Sequence, residues 1–427
     1  MSASTQTTTA ANPSNSAVNA AAAQSIKANR LHALPPFLFN EIDNKKRAAI
    51  AAGKDVINLG VGDPDRPTPA FVIDAMNEAM RQPANHQYPD CWGTARFLNA
   101  AAEFMHKRFG VTVDPKKNIL ATIGGKDGIA HLPLGLLNPG DGAIVCTPAY
   151  PVYASASILA GGVVHRVETS PEDHWLPRFD RGPSATALRT AAPMSKLLWL
   201  NFPGNPTGAT CDEKFYQQAL AFASEHALTV ASDLAYSEIY LDNNPRSIVS
   251  LFSAPGADVK TTRAIEFHSL SKTFNMTGWR IGFAVGHEDV INALRQVKDN
   301  YDSGVFNAIQ TAGAVALERF EDPALAQMRS EYAKRAKIVV DALSSIGCQA
   351  SMPRAGIFVW ARCPIDSATG QPMNSWRLAE KLIDEAGVVT VPGAGFGQHC
   401  TDWFRISLTR QTDRLEEAMR RLASLKY

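Results

Sequence analysis

The 427-residue sequence has almost no excess charge of either sign and no long hydrophobic run. Its 42 Lys and Arg nearly balance 41 Asp and Glu, which leaves a formal net charge of +1. A chain so balanced lacks the basic stripe that neutralises nucleic-acid phosphates, and it has no acidic tail. No segment approaches the roughly 18 consecutive apolar residues that a membrane span requires, since even the apolar region at residues 132–137 is short and interrupted. We therefore expect a soluble protein with no nucleic-acid or membrane partner.

Cysteine and histidine motifs are also missing. The six cysteines are scattered without a C-x-x-C pair, and a chain of this length does not need disulfides to hold its core together. We expect reduced thiols and a cytoplasmic location. The histidines at positions 86, 106, 131 and 268 do not recur at the spacing that metal ligands favour, so no metal site is predicted.

The N-terminal segment lacks a basic start and a continuous apolar run. Its first 25 residues are rich in Ser, Thr, Ala and Asn, which is a low-complexity composition. We predict a disordered tail over residues 1–30. A transit peptide remains the alternative because the segment has no acidic residue, although it also lacks the arginines that such peptides favour.

From residue 71 onward, helical patterns alternate with short apolar runs bounded by Gly, Pro or polar residues. This alternation predicts βα units around a mostly parallel sheet, and hence an α/β fold. The predicted strands are 143–147, 163–167, 197–201, 228–232, 264–267 and 281–285. The predicted helices include 128–137, 213–226 and 289–300.

The pattern changes beyond residue 323, where a long amphipathic helix runs through residue 344, followed by a strand-like run at 356–360 and a closing helix over 413–425. The length of the chain also favours two domains over one. We predict that residues 70–310 form a large domain and that residues 311–427 form a small one. Residues 31–69 are expected to pack on the small domain, with the Pro-rich stretch 63–69 as a connector.

The most informative segment is EFHSLSKTFNMTGWR at residues 266–280. It places Lys272 after a predicted strand, among the hydroxyls of Ser269 and Ser271, with Arg280 eight residues further on. A lysine forms a Schiff base only when its amine is neutral, and a cationic neighbour or partial desolvation lowers its pKa toward that state. The guanidinium fork and the two hydroxyls suit a phosphate. In isolation, the same segment would also fit a surface loop.

Two further motifs end predicted strands, at the sheet edge where parallel folds bind ligands. The segment NFPGNPTG at 201–208 contains Asn205, and SDLAY at 232–236 contains Asp233 and Tyr236. A carboxylate in that position can keep a ring nitrogen protonated, which makes the ring an electron sink, while an amide and a phenol can bind its hydroxyl oxygen. Taken alone, Asp233 fits a helix N-cap equally well.

A Gly-rich turn and an aromatic residue complete the set. Gly125 and Lys126 lie in IGGKDG at 123–128, just before a predicted helix whose free amides and positive end can bind a phosphate. Tyr150 follows the next predicted strand. It can stack on a flat ring, or it can be a core aromatic.

Together these motifs resemble the fold-type-I pyridoxal-phosphate enzymes of the aspartate-aminotransferase superfamily, from about residue 34 to the C-terminus. The resemblance implies a mostly parallel seven-stranded sheet between helices, together with a smaller α+β domain. It implies pyridoxal 5′-phosphate as the cofactor, held by Lys272 as a Schiff base. Lys272 would then move a proton between the substrate α-carbon and the C4′ carbon of the cofactor. Amino acids and 2-oxo acids would be the substrates of a homodimer with shared active sites.

The resemblance also assigns the neighbouring residues. Asp233 would keep the pyridine nitrogen protonated, Asn205 and Tyr236 would bind the ring oxygen, and Tyr150 would stack on the ring. The residues expected around the phosphate are Gly125, Lys126, Ser269, Ser271, Arg280 and the partner subunit's Tyr88. The residues expected around the substrate are Gly62, Tyr88, Asn205, Asn307 and Arg405. Of these, Arg405 would bind the α-carboxylate in a bidentate contact that lysine cannot replace, although it also fits a strand-end salt bridge.

Six segments narrow the resemblance: LPPFLFNEI at 34–42, NHQYP at 85–89, GGKDGIAH at 124–131, AYSEI at 235–239, FHSLSKTFNMTGWR at 267–280 and NYDSG at 300–304. They are similar to a branch of the superfamily that moves an amino group from LL-2,6-diaminopimelate to 2-oxoglutarate, giving tetrahydrodipicolinate and glutamate in lysine biosynthesis. Two departures weaken that match. Phe37 replaces a tyrosine that is usual in the branch, and PDCWG at 89–93 lacks a glutamate that relatives often carry near the glycine. Asp90 is the candidate substitute, and an alanine-type, aspartate-type or broad-specificity aminotransferase remains the alternative.

Overall fold

The structure is a computed structural model that describes residues 26–34 and 39–427, with side chains at 39–41 left out. Of the tail predicted over residues 1–30, positions 1–25 therefore lie outside the described part, as does Phe37. Residues 29 and 30 begin a short helix.

The helices of the described part alternate with strands over most of the chain. The α-helices are α1 (Asn29–His32), α2 (Phe39–Ala51), α3 (Ala70–Met80), α4 (Ala95–Phe109), α5 (Gly125–Leu136), α6 (Val152–Leu159), α7 (Gly182–Ala191), α8 (Glu213–Glu225), α9 (Leu270–Thr273), α10 (Glu288–Tyr301), α11 (Asn307–Glu318), α12 (Pro323–Ser345), α13 (Ser375–Lys381) and α14 (Thr412–Ala423). The strands are β1 (Ile57–Asn58), β2 (Ile119–Thr122), β3 (Gly142–Thr147), β4 (Val163–Glu168), β5 (Ser195–Leu200), β6 (Thr229–Asp233), β7 (Ala264–Ser269), β8 (Gly282–Gly286), β9 (Gln349–Ala350), β10 (Phe358–Arg362), β11 (Val388–Val389), β12 (Val391–Pro392) and β13 (Trp403–Ser407).

The central sheet has seven strands in the order β2-β8-β7-β6-β5-β3-β4. Strands β4, β3, β5, β6 and β7 pair in parallel, whereas β8 is antiparallel to both of its neighbours. Every residue of β2, β6 and β8 is buried, as expected for a sheet covered by helices on both faces. The predicted α/β fold with a mostly parallel seven-stranded sheet is confirmed.

Two separate cores cover the faces of this sheet. On one face, α4, α8 and α11 contribute Phe97, Phe222 and Ala312 to the larger cluster. On the other face, α5 and α10 contribute Leu132 and Leu294. All six predicted strands are present within two residues of their expected ends. Strand β2 was not predicted, and α5 begins three residues earlier than expected, at Gly125.

The second layer is a four-stranded antiparallel sheet in the order β12-β13-β10-β9. Its core is built with α12 and α14 and includes Tyr332, Ile406 and Leu415. Strand β1 pairs in parallel with β11, so the N-terminal segment joins this region of the molecule. That pairing supports our proposal that residues 31–69 belong with the small domain.

Helix α11 bears on where the two domains meet. Ala312 and Leu317 lie in the core of the large domain, although the boundary expected from the sequence falls at residue 311. Because these side chains pack on α3 and α4, we propose that the boundary lies nearer Asp322, whose carboxylate caps the first turn of α12.

Candidate active site

A cavity of about 460 Å³ lies where the carboxyl ends of β5, β6 and β7 face β10 and β13 of the smaller sheet. Strands from both sheets therefore contribute to one site, which lies at the carboxyl edge of the large sheet, where α/β folds bind ligands. The predicted site residues that line it are Gly62, Gly125, Lys126, Tyr150, Asn205, Asp233, Tyr236, Ser269, Ser271, Lys272, Arg280 and Arg405. A larger cleft of about 980 Å³, lined in part by three tryptophans, contains none of the predicted residues.

Lys272 lies in the one-turn helix α9 just after β7, and its side chain points into the cavity. Its Nζ donates to the carbonyl oxygen of Gly62 at 2.6 Å. Burial, opposed by the charge of Asp63 and assisted by the charges of Arg405 and Arg280, lowers the pKa of this amine from 10.5 to about 8. A substantial fraction of the amine is therefore neutral near physiological pH, which nucleophilic and proton-transfer chemistry both require.

Asp233 ends β6 and is buried. Its Oδ2 accepts a hydrogen bond of 2.7 Å from the hydroxyl of Tyr153, and its Oδ1 accepts one of 3.1 Å from the amide of Ala235. Burial raises the pKa of this carboxyl above its ordinary value, although both hydrogen bonds act to lower it. The residues that follow form turns rather than a helix, so the N-cap role is wrong for this position. A buried carboxylate without a cationic partner in the described structure is well placed to pair with a protonated ring nitrogen.

Arg405 lies on β13, where only 3% of its surface is exposed. Its Nη1 donates to Asn205 Oδ1 and its Nη2 donates to the carbonyl oxygen of Gly60, both at 2.7 Å. The guanidinium lies 4.0 Å from the ring centre of Phe358, and its Nε has no hydrogen-bond partner among the residues that the structure describes. Burial lowers its pKa to about 10. It forms no salt bridge within the described residues, so its remaining donors can bind a carboxylate ligand.

Two asparagines hold the turn after β5. Asn201 donates to the backbone oxygen of Asp233 at 2.8 Å and accepts from the amide of Asn205 at 2.9 Å. These bonds tie the ends of β5 and β6 together and aim Asn205 at the cavity. Tyr150 and Tyr236 also line the cavity, and Tyr150 packs edge-on against Tyr153 with ring centres 6.0 Å apart.

The turn between β2 and α5 forms a cradle beside Arg280. Gly124 has φ +80°, and a Cβ there would lie 2.4 Å from Nη2 of Arg280, so only glycine lets the guanidinium approach so closely. The amides of Gly125 and Lys126 lie in the first turn of α5, where they have no acceptor within the helix. Ser269 and Ser271 border the same end of the cavity. The positive helix end, the arginine and the hydroxyls fit a phosphate.

Tyr88 and Asn307 do not line the cavity of their own chain. Tyr88 is 90% exposed. Asn307 donates to the backbone oxygen of Gln87 at 3.4 Å, which places it beside Tyr88. Both residues thus lie together on the surface.

The structure adds residues that the sequence did not single out. Tyr153 lies in the same segment as Tyr150, and its hydroxyl contacts Asp233. The sequence does not predict this contact, because nothing in it indicates that positions 80 residues apart meet. Phe358 and Asp43 also line the cavity. Asp43 lies on α2 and pairs with Lys46 one turn later. The helix-capable pattern around Asp43 gave no sign that it would face the site.

A cluster of potential metal ligands occurs away from the cavity. Among the described residues, Asp127, His131 and Asp302 place ligand atoms within 4.8 Å of one another. The ammonium of Lys298 already lies 2.6 Å from Asp127 and 2.8 Å from Asp302. A lysine between the two carboxylates supplies the positive charge that a metal ion would bring.

No helix in the described part of the chain is long and apolar enough to cross a membrane.

Known proteins of similar sequence and fold identify the protein family. The chain belongs to the aminotransferase class I and II family, whose model matches residues 54–422. Two bacterial relatives are both named LL-diaminopimelate aminotransferase. The protein of Nitratidesulfovibrio vulgaris strain Miyazaki F is 44% identical over 398 residues, and that of Maridesulfovibrio salexigens is 45% identical over 399 residues. Each match covers 93% of this chain and 98% of the relative.

Solved structures agree on the fold. Substrate-bound BacF from Bacillus subtilis superposes with a TM-score of 0.85 and 31% sequence identity, covering 94% of this chain and 98% of that chain. The chain is therefore an aminotransferase, and its cofactor is pyridoxal phosphate, as in its family. The unpaired buried carboxylate of Asp233 and the cradle at Gly124 fit the ring nitrogen and the phosphate of that cofactor respectively.

Proposed function

We propose that this enzyme moves an amino group from LL-2,6-diaminopimelate to 2-oxoglutarate, reversibly, giving tetrahydrodipicolinate and glutamate on the route to lysine. The relatives that carry this activity in their names match the chain over nearly its whole length. The observation that supports an amino-acid substrate most directly is the buried Arg405 in the same cavity as the amine of Lys272. A carboxylate on the arginine and an α-carbon near the lysine fit one α-amino acid.

The proposed roles follow from the contacts. Bound pyridoxal phosphate supplies a ring that withdraws electrons from the substrate α-carbon. Asp233, held by Tyr153, would keep the ring nitrogen protonated, while Lys272 would move a proton between the substrate α-carbon and the C4′ carbon of the cofactor. A guanidinium has five N–H donors, and two of its groups in Arg405 hold Asn205 and Gly60. The remaining donors, with the nearby backbone of Gly62, bind the α-carboxylate.

The remaining assignments rest on the arrangement around the cavity. We propose that Asn205 and Tyr236 bind the ring oxygen and that Tyr150 stacks on the ring. The phosphate ligands of the same chain are Gly125, Lys126, Ser269, Ser271 and Arg280. All of these residues line the cavity.

Recognition of the far end of diaminopimelate requires an acidic group for the second ammonium. Asp90 is exposed, and its Oδ1 accepts a hydrogen bond of 2.9 Å from the amide of Trp92 in its own loop. Asp43 lines the cavity within the same chain. We therefore propose Asp43 as the first candidate for this contact, ahead of Asp90.

A homodimer completes the proposed site. Tyr88 is almost fully exposed although it is a large aromatic residue, and Asn307 lies beside it. In the proposed dimer, the partner subunit's Tyr88 reaches the phosphate and the partner subunit's Asn307 reaches the substrate. Each active site then needs both chains.

We also propose that the enzyme works in the cytoplasm. All six cysteines are free thiols, and burial raises the pKa of Cys146 and Cys348 to about 12, so these two remain protonated and unreactive. The absence of nucleic-acid and membrane partners remains a prediction from the charge and hydropathy of the chain.

The deciding experiment is a panel of amino donors with 2-oxoglutarate, with glutamate formation as the measurement. We expect LL-2,6-diaminopimelate to give the highest kcat/KM, with alanine and aspartate well below it. The Lys272→Ala variant is the control for cofactor-dependent turnover. Good turnover of alanine or aspartate without turnover of LL-2,6-diaminopimelate would reject the proposed donor and favour an alanine-type, aspartate-type or broad-specificity enzyme.

A further inference from the structure

Lys298 is a fully buried cation that lies outside the active-site cavity. It belongs to α10, and none of its side-chain surface is exposed. Its Nζ donates to Asp127 Oδ2 at 2.6 Å and to Asp302 Oδ2 at 2.8 Å. Burying an ammonium is costly unless it is paired, and one lysine between two carboxylates fixes the positions of both.

The first carboxylate belongs to the phosphate-binding turn. Asp127 lies in the first turn of α5, and its Oδ2 also accepts a hydrogen bond of 2.8 Å from the amide of Ile123. The Nδ1 atom of His131 lies 2.8 Å from Asp127 Oδ1. Asp127 thus holds the backbone just before Gly124 and Gly125, although it does not itself line the cavity.

The charge of Asp127 also matters. Burial would raise the pKa of Asp127, but contacts with His131 and Lys298 outweigh burial and lower it to about 2. An ionised carboxylate at this helix end would repel a bound phosphate. The ammonium of Lys298 neutralises the charge of that carboxylate, and Asp127 still accepts the hydrogen bond from the amide of Ile123.

The second carboxylate belongs to the segment that packs on the Tyr88 loop, which we define as residues 88–93. Asp302 Oδ1 accepts a hydrogen bond of 2.8 Å from the amide of Gly304, and the backbone oxygen of Asp302 lies 3.6 Å from Cys91 Sγ. Gly304 has φ +84°, and a Cβ there would lie 3.0 Å from the backbone oxygen of Asp90. The segment held by Asp302 is therefore in direct contact with the Tyr88 loop.

From the contacts of Lys298 with Asp127 and with Asp302, we infer that Lys298 is a positioning residue. It fixes the phosphate-binding turn and the Tyr88 loop relative to each other. The inference rests on the proposed function, because it takes the turn as the phosphate site and the loop as the part of the chain that enters the partner's site. Through Lys298, the cofactor site of one chain is linked to the loop that completes the site of its partner.

The test separates phosphate binding from general stability by comparing two ligands. Apoprotein is titrated with pyridoxal phosphate and with pyridoxal, which lacks the phosphate, and visible absorbance is followed. For Lys298→Met we expect affinity for pyridoxal phosphate to fall by roughly 3- to 30-fold, with a smaller change for pyridoxal. Hydrogen exchange of peptides covering residues 88–93 should become faster in the same variant.

Asp302→Asn gives a milder second variant that keeps the Lys298 contact to Asp127. It should also speed exchange at residues 88–93 and weaken pyridoxal phosphate selectively, by a smaller factor. The matched control is Arg108→Met, because Arg108 and Glu238 form another buried ion pair, with side-chain exposures of 7% and 3%. This control should lower stability without a selective loss of pyridoxal phosphate.

Each outcome decides the inference. Equal losses for the two ligands, or unchanged exchange at residues 88–93, would show that Lys298 has only a general structural role. If Lys298→Met does not fold, the Asp302→Asn variant decides, and unchanged affinity for pyridoxal phosphate in that variant refutes the link. Failure of the wild-type protein to bind pyridoxal phosphate would instead contradict the cofactor and the proposed function.

Discussion

Burial changes the protonation of the groups in the cavity, with a different consequence for each. It lowers the pKa of Lys272 to about 8 and that of Arg405 to about 10, while it raises the pKa of Asp233. The arginine still carries its charge at neutral pH, whereas the lysine is partly neutral. The same cavity therefore holds a charged guanidinium on β13 and a partly neutral amine on α9.

The lowered pKa of Lys272 predicts how its reactivity depends on pH. An amine with a pKa of about 8 becomes mostly neutral above that pH, whereas an ordinary surface lysine does so only near pH 10.4. Labelling of the apoprotein with pyridoxal, trapped by borohydride and measured by peptide mass spectrometry, should therefore rise at Lys272 with a midpoint near pH 8. Lys116, an exposed lysine, is the internal control. A common midpoint for both lysines would contradict the prediction.

Arg405→Lys should lower kcat/KM for every amino donor. Lysine cannot reproduce the fork that holds Asn205 and Gly60 and binds a carboxylate at the same time. Loss of a hydrogen bond between charged groups costs about 1.5–3 kcal/mol, so kcat/KM should fall roughly 10- to 100-fold. Steady-state kinetics with LL-2,6-diaminopimelate and glutamate should show losses of similar size for both donors.

Asp43→Asn should instead raise KM for one amino donor and leave KM for the other almost unchanged. The variant removes a negative charge from the lining of the cavity and leaves Arg405 and Lys272 unchanged. We expect KM for LL-2,6-diaminopimelate to rise by about tenfold, which corresponds to one charged contact, while KM for glutamate stays within about twofold. Equal effects on both donors would remove Asp43 from distal recognition, and Asp90→Asn then becomes the next variant to measure.

Residues that carry their chemistry in a local motif could be predicted from the sequence. Lys272, Asp233 and Arg405 follow strands or lie within them, and all three line the cavity. Tyr153 and Asp43 could not be predicted, because their contacts join segments that only the folded chain brings together. A tyrosine near a strand end is ordinary, and its bond to a carboxylate 80 positions away depends on strand order.

At the scale of elements, apolar runs and turn residues located the strands well because buried parallel strands are hydrophobic throughout. The short strand β2 was not predicted, although its four residues are all buried. The sequence predicts the start of α5 three residues late, because the glycines at 124, 125 and 128 have a low helix propensity. Gly128 is needed for close packing, because a Cβ there would lie 2.7 Å from the ring of Phe267.

Gly124→Ala should damage the cradle between β2 and α5. Gly124 has φ +80° and ψ 159°, a conformation that is essentially restricted to glycine and costs other residues about 1–3 kcal/mol. The added methyl would also displace Arg280. We expect a lower melting temperature together with at least about tenfold weaker binding of pyridoxal phosphate, measured by absorbance titration.

A capping variant provides the comparison for this prediction. Asp212 accepts from the amide of Phe215 at 2.8 Å and caps α8. Asp212→Ala should cost about 0.5–2 kcal/mol of unfolding free energy and leave the affinity for pyridoxal phosphate unchanged. If both variants lost stability and affinity in the same proportion, the cradle would have no specific role.

At the scale of the whole molecule, the chain gathers most of its predicted site residues in one cavity and carries two others, Tyr88 and Asn307, on its surface. Lys272 and the cradle face the cavity, whereas Tyr88 and Asn307 face outward. The sequence resemblance predicts that these two residues serve a partner's site, which no pattern of hydropathy could indicate. An exposed tyrosine looks the same in a sequence whether it meets solvent or a partner.

Mixing two inactive variants should restore activity if the sites are shared. Lys272→Ala and Tyr88→Ala each disable every site in their own homodimers. A mixed dimer contains one site that is built from Lys272 of one chain and Tyr88 of the other. Random reassembly of an equal mixture should recover about a quarter of wild-type turnover, given a closed two-fold dimer. No recovery after verified subunit exchange would contradict shared sites.

Because β8 is antiparallel to β7, the segment that joins these two strands carries two of the cavity-lining residues. The chain leaves the sheet at Ser269, turns back through residues 270–281 and re-enters at Gly282 from the same edge. That one excursion carries both the cofactor lysine and Arg280, whereas Asn205 and Asp233 come from separate crossovers. A mutation that lengthens or shortens the excursion alters both groups together. Such a change would leave Asn205, after β5, and Asp233, at the end of β6, in place, so it would move Lys272 and Arg280 relative to the rest of the cavity lining.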